Sequence, residues 1–303
     1  MRISTPSTYF ISSSDMSALQ VKLQHLQLQL DTQQRVVVPS DDPVATAQIL
    51  SLEQSKERTN QFIENNTAVE STLALSEGVI NSAIGLLTSM KTLAIQAGDG
   101  AYAPETLQKL QPQVAQGFEQ LLSYANTADG TGHYLYGGNK ISAPPFNLTG
   151  PFTVAYQGDN GQRQVQVASS STLPITDPGS LLFGTAAAPT AVFDALGNLY
   201  TLLGQDPKPT DYTTQLQTIM GQLDSAQQQL VTVQASIGAR RQQNEEVMEA
   251  GQGMALQYNI AISQYQDLDL SKAVPDFALS GLALEFSQRV YEKLSKLSLF
   301  SMI

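Results

Sequence analysis

Two histidines, several paired aspartates, a glycine-rich stretch and one arginine pair are the places where this chain could do chemistry. A histidine acting as acid or base needs a nearby carboxylate and a pocket. His25 lies between Leu23 and Leu26 in a helical stretch, and His133 follows the turn Gly130-Thr131-Gly132. Neither has a pocket in the sequence around it, so both read as structural. Asp41-Asp42 and Asp267-Asp269 could be called cation sites, but a loop cap and a solvated helix face account for them without a metal. Gly137-Gly138-Asn139-Lys140 lacks the Gly-Lys-Ser/Thr ending of a phosphate loop and reads as a turn feeding a strand, with Tyr134 and Tyr136 on one face. Residues 150 to 200 hold no histidine or cysteine and few charges; an enzyme there would have to use Asp159, Arg163 or Asp177. The expected catalytic, metal and cofactor sites are therefore none.

The elements that would position these residues are long helices. Leu216, Ile219, Leu223, Ala226, Leu230, Val233 and Ile237, then Val247, Met254, Tyr258, Tyr265 and Leu268, keep an alternating three-four or heptad-related step. Such a stripe is buried only against another helix. Val69, Leu73, Ile80, Ala83, Leu87, Met90 and Ala94 supply a partner stripe, and no proline interrupts residues 44 to 99. Leu73, Ile80, Leu87, Leu216, Ile219, Leu223, Leu230, Val233 and Ile237 are the expected rod core. Each helix would be roughly 80 Å long at 1.5 Å per residue. Arg240 and Asn244 fall on the seam, where a buried polar group costs stability but fixes register, unless the stripe drifts and turns them to solvent.

The ends carry further stripes. Met16, Leu19, Leu23, Leu26 and Leu30 form one; Leu279, Leu282, Phe286, Val290, Leu297 and Phe300 form the other, and together they are the expected assembly seam. Isolated helices of that size are marginal in water. Both ends are expected to be poorly ordered in a monomer and to fold when copies assemble. Asp42 as N-cap and Pro43 at the first helical position start the long second helix; Gly98-Asp99-Gly100 should stop it by a left-handed turn. A shorter helix is expected over 104–128, kinked at Pro112, and a final one from Asp276 after a break at Pro275. Phe152 to Tyr156 and Gln164 to Val167 read as a hairpin closed by Asp159-Asn160-Gly161. A short helix from Ala191 to Leu203 should follow.

The fold class is thus mainly α: an elongated antiparallel helical bundle or coiled coil from both chain ends, with a small inserted β-rich domain. Its expected parts are 1–42, an assembly helix and loop; 43–128, rod helices; 129–205, the β-rich outer domain; 206–270, the second rod helix; and 271–303, the last assembly helix. Hydrophobic residues make up 42% and charged ones 14%, below the usual quarter. The polar faces are Gln, Ser, Thr and Asn, which repel one another weakly and ease lateral packing. A net charge of −11 opposes nucleic acid. No apolar run reaches membrane-spanning length, no secretory signal opens the chain, and there is no cysteine.

Arg35-Val36 with Pro39-Ser40-Asp41-Asp42-Pro43-Val44-Ala45 resembles the N-terminal motif of flagellin-like proteins in their hook-associated form. Met1 to Thr5, Ala125-Asn126-Thr127-Ala128-Asp129-Gly130-Thr131-Gly132-His133-Tyr134-Leu135-Tyr136-Gly137-Gly138, Pro145-Phe146 and Leu297-Ser298-Leu299-Phe300 are similar too, in the same order. The resemblance implies a ring between hook and filament in the bacterial flagellum, with terminal helices in an inner coiled coil and the insertion outward. It also implies type III export, an export chaperone that could hold the apolar tail, and as partners further copies of this chain, the other junction protein and flagellin. A filament-forming flagellin and a secreted coiled-coil binding module are the alternatives. The family usually has glycine just before the basic residue; Thr32-Gln33-Gln34 stand here, so the first helix is expected to run on.

Overall fold

The computed structural model describes residues 5–99 and 103–300, with side chains over 9–99 and 103–293. Eight helices and four strands are present among them: α1 (Thr5–Thr32), α2 (Pro43–Ala97), α3 (Pro104–Gln108), α4 (Gln111–Ala125), β1 (Phe146–Gly150), β2 (Thr153–Tyr156), β3 (Gln164–Ala168), β4 (Ser171–Pro174), α5 (Gly179–Leu182), α6 (Ala191–Leu203), α7 (Tyr212–Gln266) and α8 (Leu270–Phe300). The fold is mainly α with a small inserted β region. The chain divides into a unit made from its two ends, up to Arg58 and from Gly253, and a unit from Thr59–Gln252.

α2 starts where Asp42 Oδ1 accepts the Ala45 N–H at 2.9 Å, which satisfies a donor that has no intrahelical partner. It ends with Gly98 N–H donating to the Ala94 and Ile95 carbonyls. Gly98 itself is not left-handed and its bonds tighten the last turn, while Gly100 of the expected stop lies outside the described residues. The helix expected over 104–128 is two helices, because the chain is re-nucleated at Leu110. Pro112 then falls in the first turn of α4, where its missing N–H costs nothing.

Pro275 does not break the last helix. Asp269 caps α8 by accepting the Ser271 N–H at 3.0 Å, and the helix runs through the proline. The loss is confined to the bond that Ser271 would have accepted, in the second turn. α1 ends at Thr32 and does not continue: Gln33 takes the left-handed turn itself, with φ of 57°. A residue with a Cβ is strained there by about 1 kcal/mol or more relative to glycine.

Within the Thr59–Gln252 unit α2 and α7 are antiparallel neighbours. Lys91 pairs with Asp224, Thr88 with Gln227, Asn81 with Gln234, and Glu70 and Glu77 with Arg241. One apolar core joins this seam to α4, α6 and the strands, from Val69 and Leu73 through Phe118, Phe146 and Phe193 to Leu230 and Ile237. Phe193 lies at its centre, 5.6 Å from Phe118, 5.3 Å from Phe146 and 5.9 Å from Phe183.

The hairpin expected around Asp159-Asn160-Gly161 does not form. β1 pairs with β2 and β3 with β4, each antiparallel, in two separate two-stranded sheets. Asp159 instead acts as a loop hub, its Oδ1 accepting the N–H groups of Asn139 and Gly161 at 2.9 and 2.8 Å. The glycine-rich stretch does not lead directly into a strand either; the next strand, β1, begins only at Phe146. Tyr134 makes a single bridge to Ala128, and Tyr136 is buried with its ring against Phe183.

Candidate assembly site

In the unit built from the chain ends, the Arg35 to Pro43 motif folds as a clasp. Arg35 Nη1 donates to Asp42 Oδ2 and Nη2 to the Tyr265 carbonyl, both at 2.9 Å. The Arg35 N–H donates to the Gln266 carbonyl at 2.7 Å, and the Leu268 N–H to that of Gln33 at 3.0 Å. The loop after α1 is thereby fastened to the loop before α8. Asp41 Oδ2 accepts the Val37 and Val38 N–H groups at 3.0 Å, which rounds the turn at Pro39 and Ser40. Burial pushes the Asp41 carboxyl up, but the Val38 and Val37 bonds and His25 outweigh it and hold it below its ordinary value. The bond from Ala45 and then the Arg35 guanidinium lower Asp42 in the same sense.

α1 and α8 pack on each other, and Tyr9 meets Tyr291 edge-on at 5.8 Å. Met16, Leu19, Leu23, Leu26 and Leu30 are all half-buried. On α8 the less exposed residues are Ala273, Phe277, Ser280, Gly281, Leu284, Ser287 and Tyr291, and a Cβ on Gly281 would meet Leu23 at 3.7 Å. Leu279, Leu282, Phe286 and Val290 lie on another side of the helix and face solvent, with Phe286 63% exposed. Phe10, Val21 and Leu28 make a similar outward row on α1. Each terminal helix therefore has two apolar sides, one used within the chain and one open. The side chains of Leu297 and Phe300 lie outside the described residues.

In the other unit Leu73, Ile80, Leu87, Leu216, Ile219, Leu223, Leu230, Val233 and Ile237 are all buried. Arg240 and Asn244 do not turn to solvent; they are 8% and 1% exposed. Arg240 pairs with Asp177 and donates to the Pro174 carbonyl at 3.0 Å, while Asn244 donates to the Asn66 carbonyl at 2.9 Å. Arg241 pairs with Glu70 and Glu77, whose hydrogen bonds raise its pKa. Within this unit Val247 stays half-buried. In the end unit, of the later stripe members Met254 and Tyr265 are exposed while Tyr258 and Leu268 are half-buried, as expected when the 3.6-residue turn drifts against a strict heptad.

The residues with chemical potential are occupied by folding. Thr131 Oγ1 sits 2.8 Å from His133 Nδ1 and donates to Asp129 Oδ1 at 2.6 Å. Asp129 Oδ1 also accepts the N–H groups of Thr131 and His133, both at 2.9 Å. Burial pushes Asp129 up, and these bonds more than reverse it. An acid does stand beside His133, but it is spent on closing a turn. Nε2 of His25 lies 3.5 Å from Asp41 in the clasp. The core residues that sequence reasoning missed are Phe146, Phe183 and Phe193. Phe146 and Phe183 stand in glycine- and proline-rich segments with no period to mark them, and Phe193 lies in the first turn of the short α6.

Residues 3–140 match the family described as the bacterial flagellin N-terminal helical region. The chain is 24% identical over 318 residues to flagellar hook-associated protein 3 of Salmonella typhimurium, covering 100% of this chain and 99% of that one. It is 25% identical over 319 residues to the protein of that name in Escherichia coli, with the same coverage. A solved flagellar hook-associated protein from Vibrio parahaemolyticus has the same fold, with a TM-score of 0.69 at 19% identity over 75% of this chain and 100% of that one. The flagellar junction protein FlgL from Legionella pneumophila gives 0.57 at 19%, over 66% and 99%.

Proposed function

We propose that this chain, which belongs with the flagellin-like proteins in their hook-associated form, is a structural component of the bacterial flagellum that joins hook to filament. It would work by helix association, and we assign it no catalytic step. The observation that carries this reading is the pair of outward apolar rows, Phe10, Val21 and Leu28 on α1 and Leu279, Leu282, Phe286 and Val290 on α8. Burying one such side chain contributes about 1.5 to 3 kcal/mol, so a few per helix offset the cost of ordering a terminal segment.

The partners in this reading are further copies in a ring, the second junction protein, flagellin, and an export chaperone at the C-terminal tail. Segments 1–42 and 271–303 would serve assembly, 43–128 and 206–270 the rod, and 129–205 the outer face. Deleting the gene in its motile host and imaging the cells tests the role. Hooks without filaments, with flagellin shed into the medium, are expected; normal filaments would overturn it. Long fibres formed by the purified chain alone would favour a filament-forming flagellin.

A further inference from the structure

Two-stranded sheets have two open edges each, and open edges recruit strands from other molecules. In an antiparallel ladder, residues alternate between bonding across the pair and pointing their N–H and C=O outward. The Gln157 N–H donates to the Pro145 carbonyl, and the Ile175 N–H to that of Arg163. The register then makes Phe146 and Leu148 outward positions on β1, Gln164 and Gln166 on β3, and Thr172 and Pro174 on β4.

Side chains from helices or their ends reach several of these positions. Asn126, just past α4, treats Phe146 as a neighbouring strand would: its Nδ2 donates to the Phe146 carbonyl at 2.8 Å and its Oδ1 accepts the N–H at 3.0 Å. Asn65 of α2 donates to the Gln166 carbonyl at 2.9 Å, and Asn66 to that of Val167 at 3.1 Å. On β4 the outward residue Pro174 has no N–H to offer, and its carbonyl is taken by Arg240. Leu148, 58% exposed, is the outward position that β1 leaves to solvent.

We propose that Asn126, Asn65, Asn66 and Arg240 are edge caps that keep the hairpins of neighbouring copies from pairing, so that lateral association is confined to helices. Copies held side by side present their insertions to one another at high effective concentration, the condition under which an uncapped edge zips. The caps are a property of the single chain and stand whether or not the junction role does.

The test is Asn126→Ala in the full chain, followed by static light scattering and the intermolecular β band in the infrared as concentration rises. A severalfold increase in sheet-type association is expected, with helical circular dichroism retained. Adding Leu148→Lys, which puts a charge on the exposed position of the same edge, should return it to the starting level. A variant that stays monodisperse while the Phe146 amide exchanges faster would overturn the proposal, as would association that Leu148→Lys leaves untouched. Should Asn126→Ala lose its helical signal, the milder Asn65→Ala decides. A rise in the β band supports the caps, and none overturns them.

Discussion

The two units differ most in where they keep their charge and their apolar surface. Residues 59–252 hold sixteen acidic and seven basic side chains, a net −9, against eleven and nine, a net −2, in the unit made from the chain ends. The acidic unit buries most of its large apolar residues in one continuous core and leaves only scattered ones, such as Ile95 and Leu148, exposed. The near-neutral unit exposes Phe10, Val21, Leu28, Leu279, Leu282, Phe286 and Val290. One unit is finished as it stands, and the other has surface left to cover. The difference implies that a change in the first should read out as stability and a change in the second as association.

The largest effect should come from Asp177→Ala. It leaves the Arg240 guanidinium buried without its carboxylate, and a loss of about 3 to 5 kcal/mol is expected by chemical denaturation. Phe286→Asp should do the reverse, changing monomer stability by no more than about 0.5 kcal/mol while abolishing assembly in sedimentation. A stability loss as large as that of Asp177→Ala would erase the contrast between the units. Amide exchange on the monomer sharpens it further: α1 and α8 should exchange faster than the buried stretches of α2 and α7.

Gln33→Gly should stabilise the clasp unit by about 1 kcal/mol, less the extra entropy that glycine has in the unfolded chain. The smallest effect concerns pH. Asp41 and Asp42 are held below their ordinary value of 3.8. Their contribution is complete above that value and is lost as the pH falls through the lower folded values. Carboxyl titration by NMR should give midpoints below 3.8 for both aspartates; a midpoint at or above it would mean that the clasp does not hold them.

How much of this was legible depended on period. The seams of α2 and α7 repeat often enough to be read directly, and Asp42-Pro43 announces a helix start because cap and proline chemistry are local. For Arg240 and Asn244 the step size left open whether they sit in the seam or drift to solvent, and their burial is set by Pro174, Asp177 and Asn66, far away in the chain. Features set by distant partners were not legible. Asp159-Asn160-Gly161 has the composition of a hairpin turn, but its carboxylate is claimed by Asn139, twenty residues back. Phe146, Phe183 and Phe193 come from three segments with no shared pattern. Pro275 looked like a break because its neighbours, and not its position after a good cap, dominate a local reading.

The pairings between α2 and α7 carry one more consequence. From Lys91 with Asp224 through Thr88 with Gln227 to Asn81 with Gln234, the position falls on one helix by the same number that it rises on the other, three and then seven. A single inserted residue in either helix would put every later pair out of phase by about 100° of rotation. Insertions near whole multiples of the repeat, made in both helices at matched heights, would keep the pairs aligned. The lengths of these two distant stretches of sequence are therefore linked, and relatives of different size should differ by increments that appear twice.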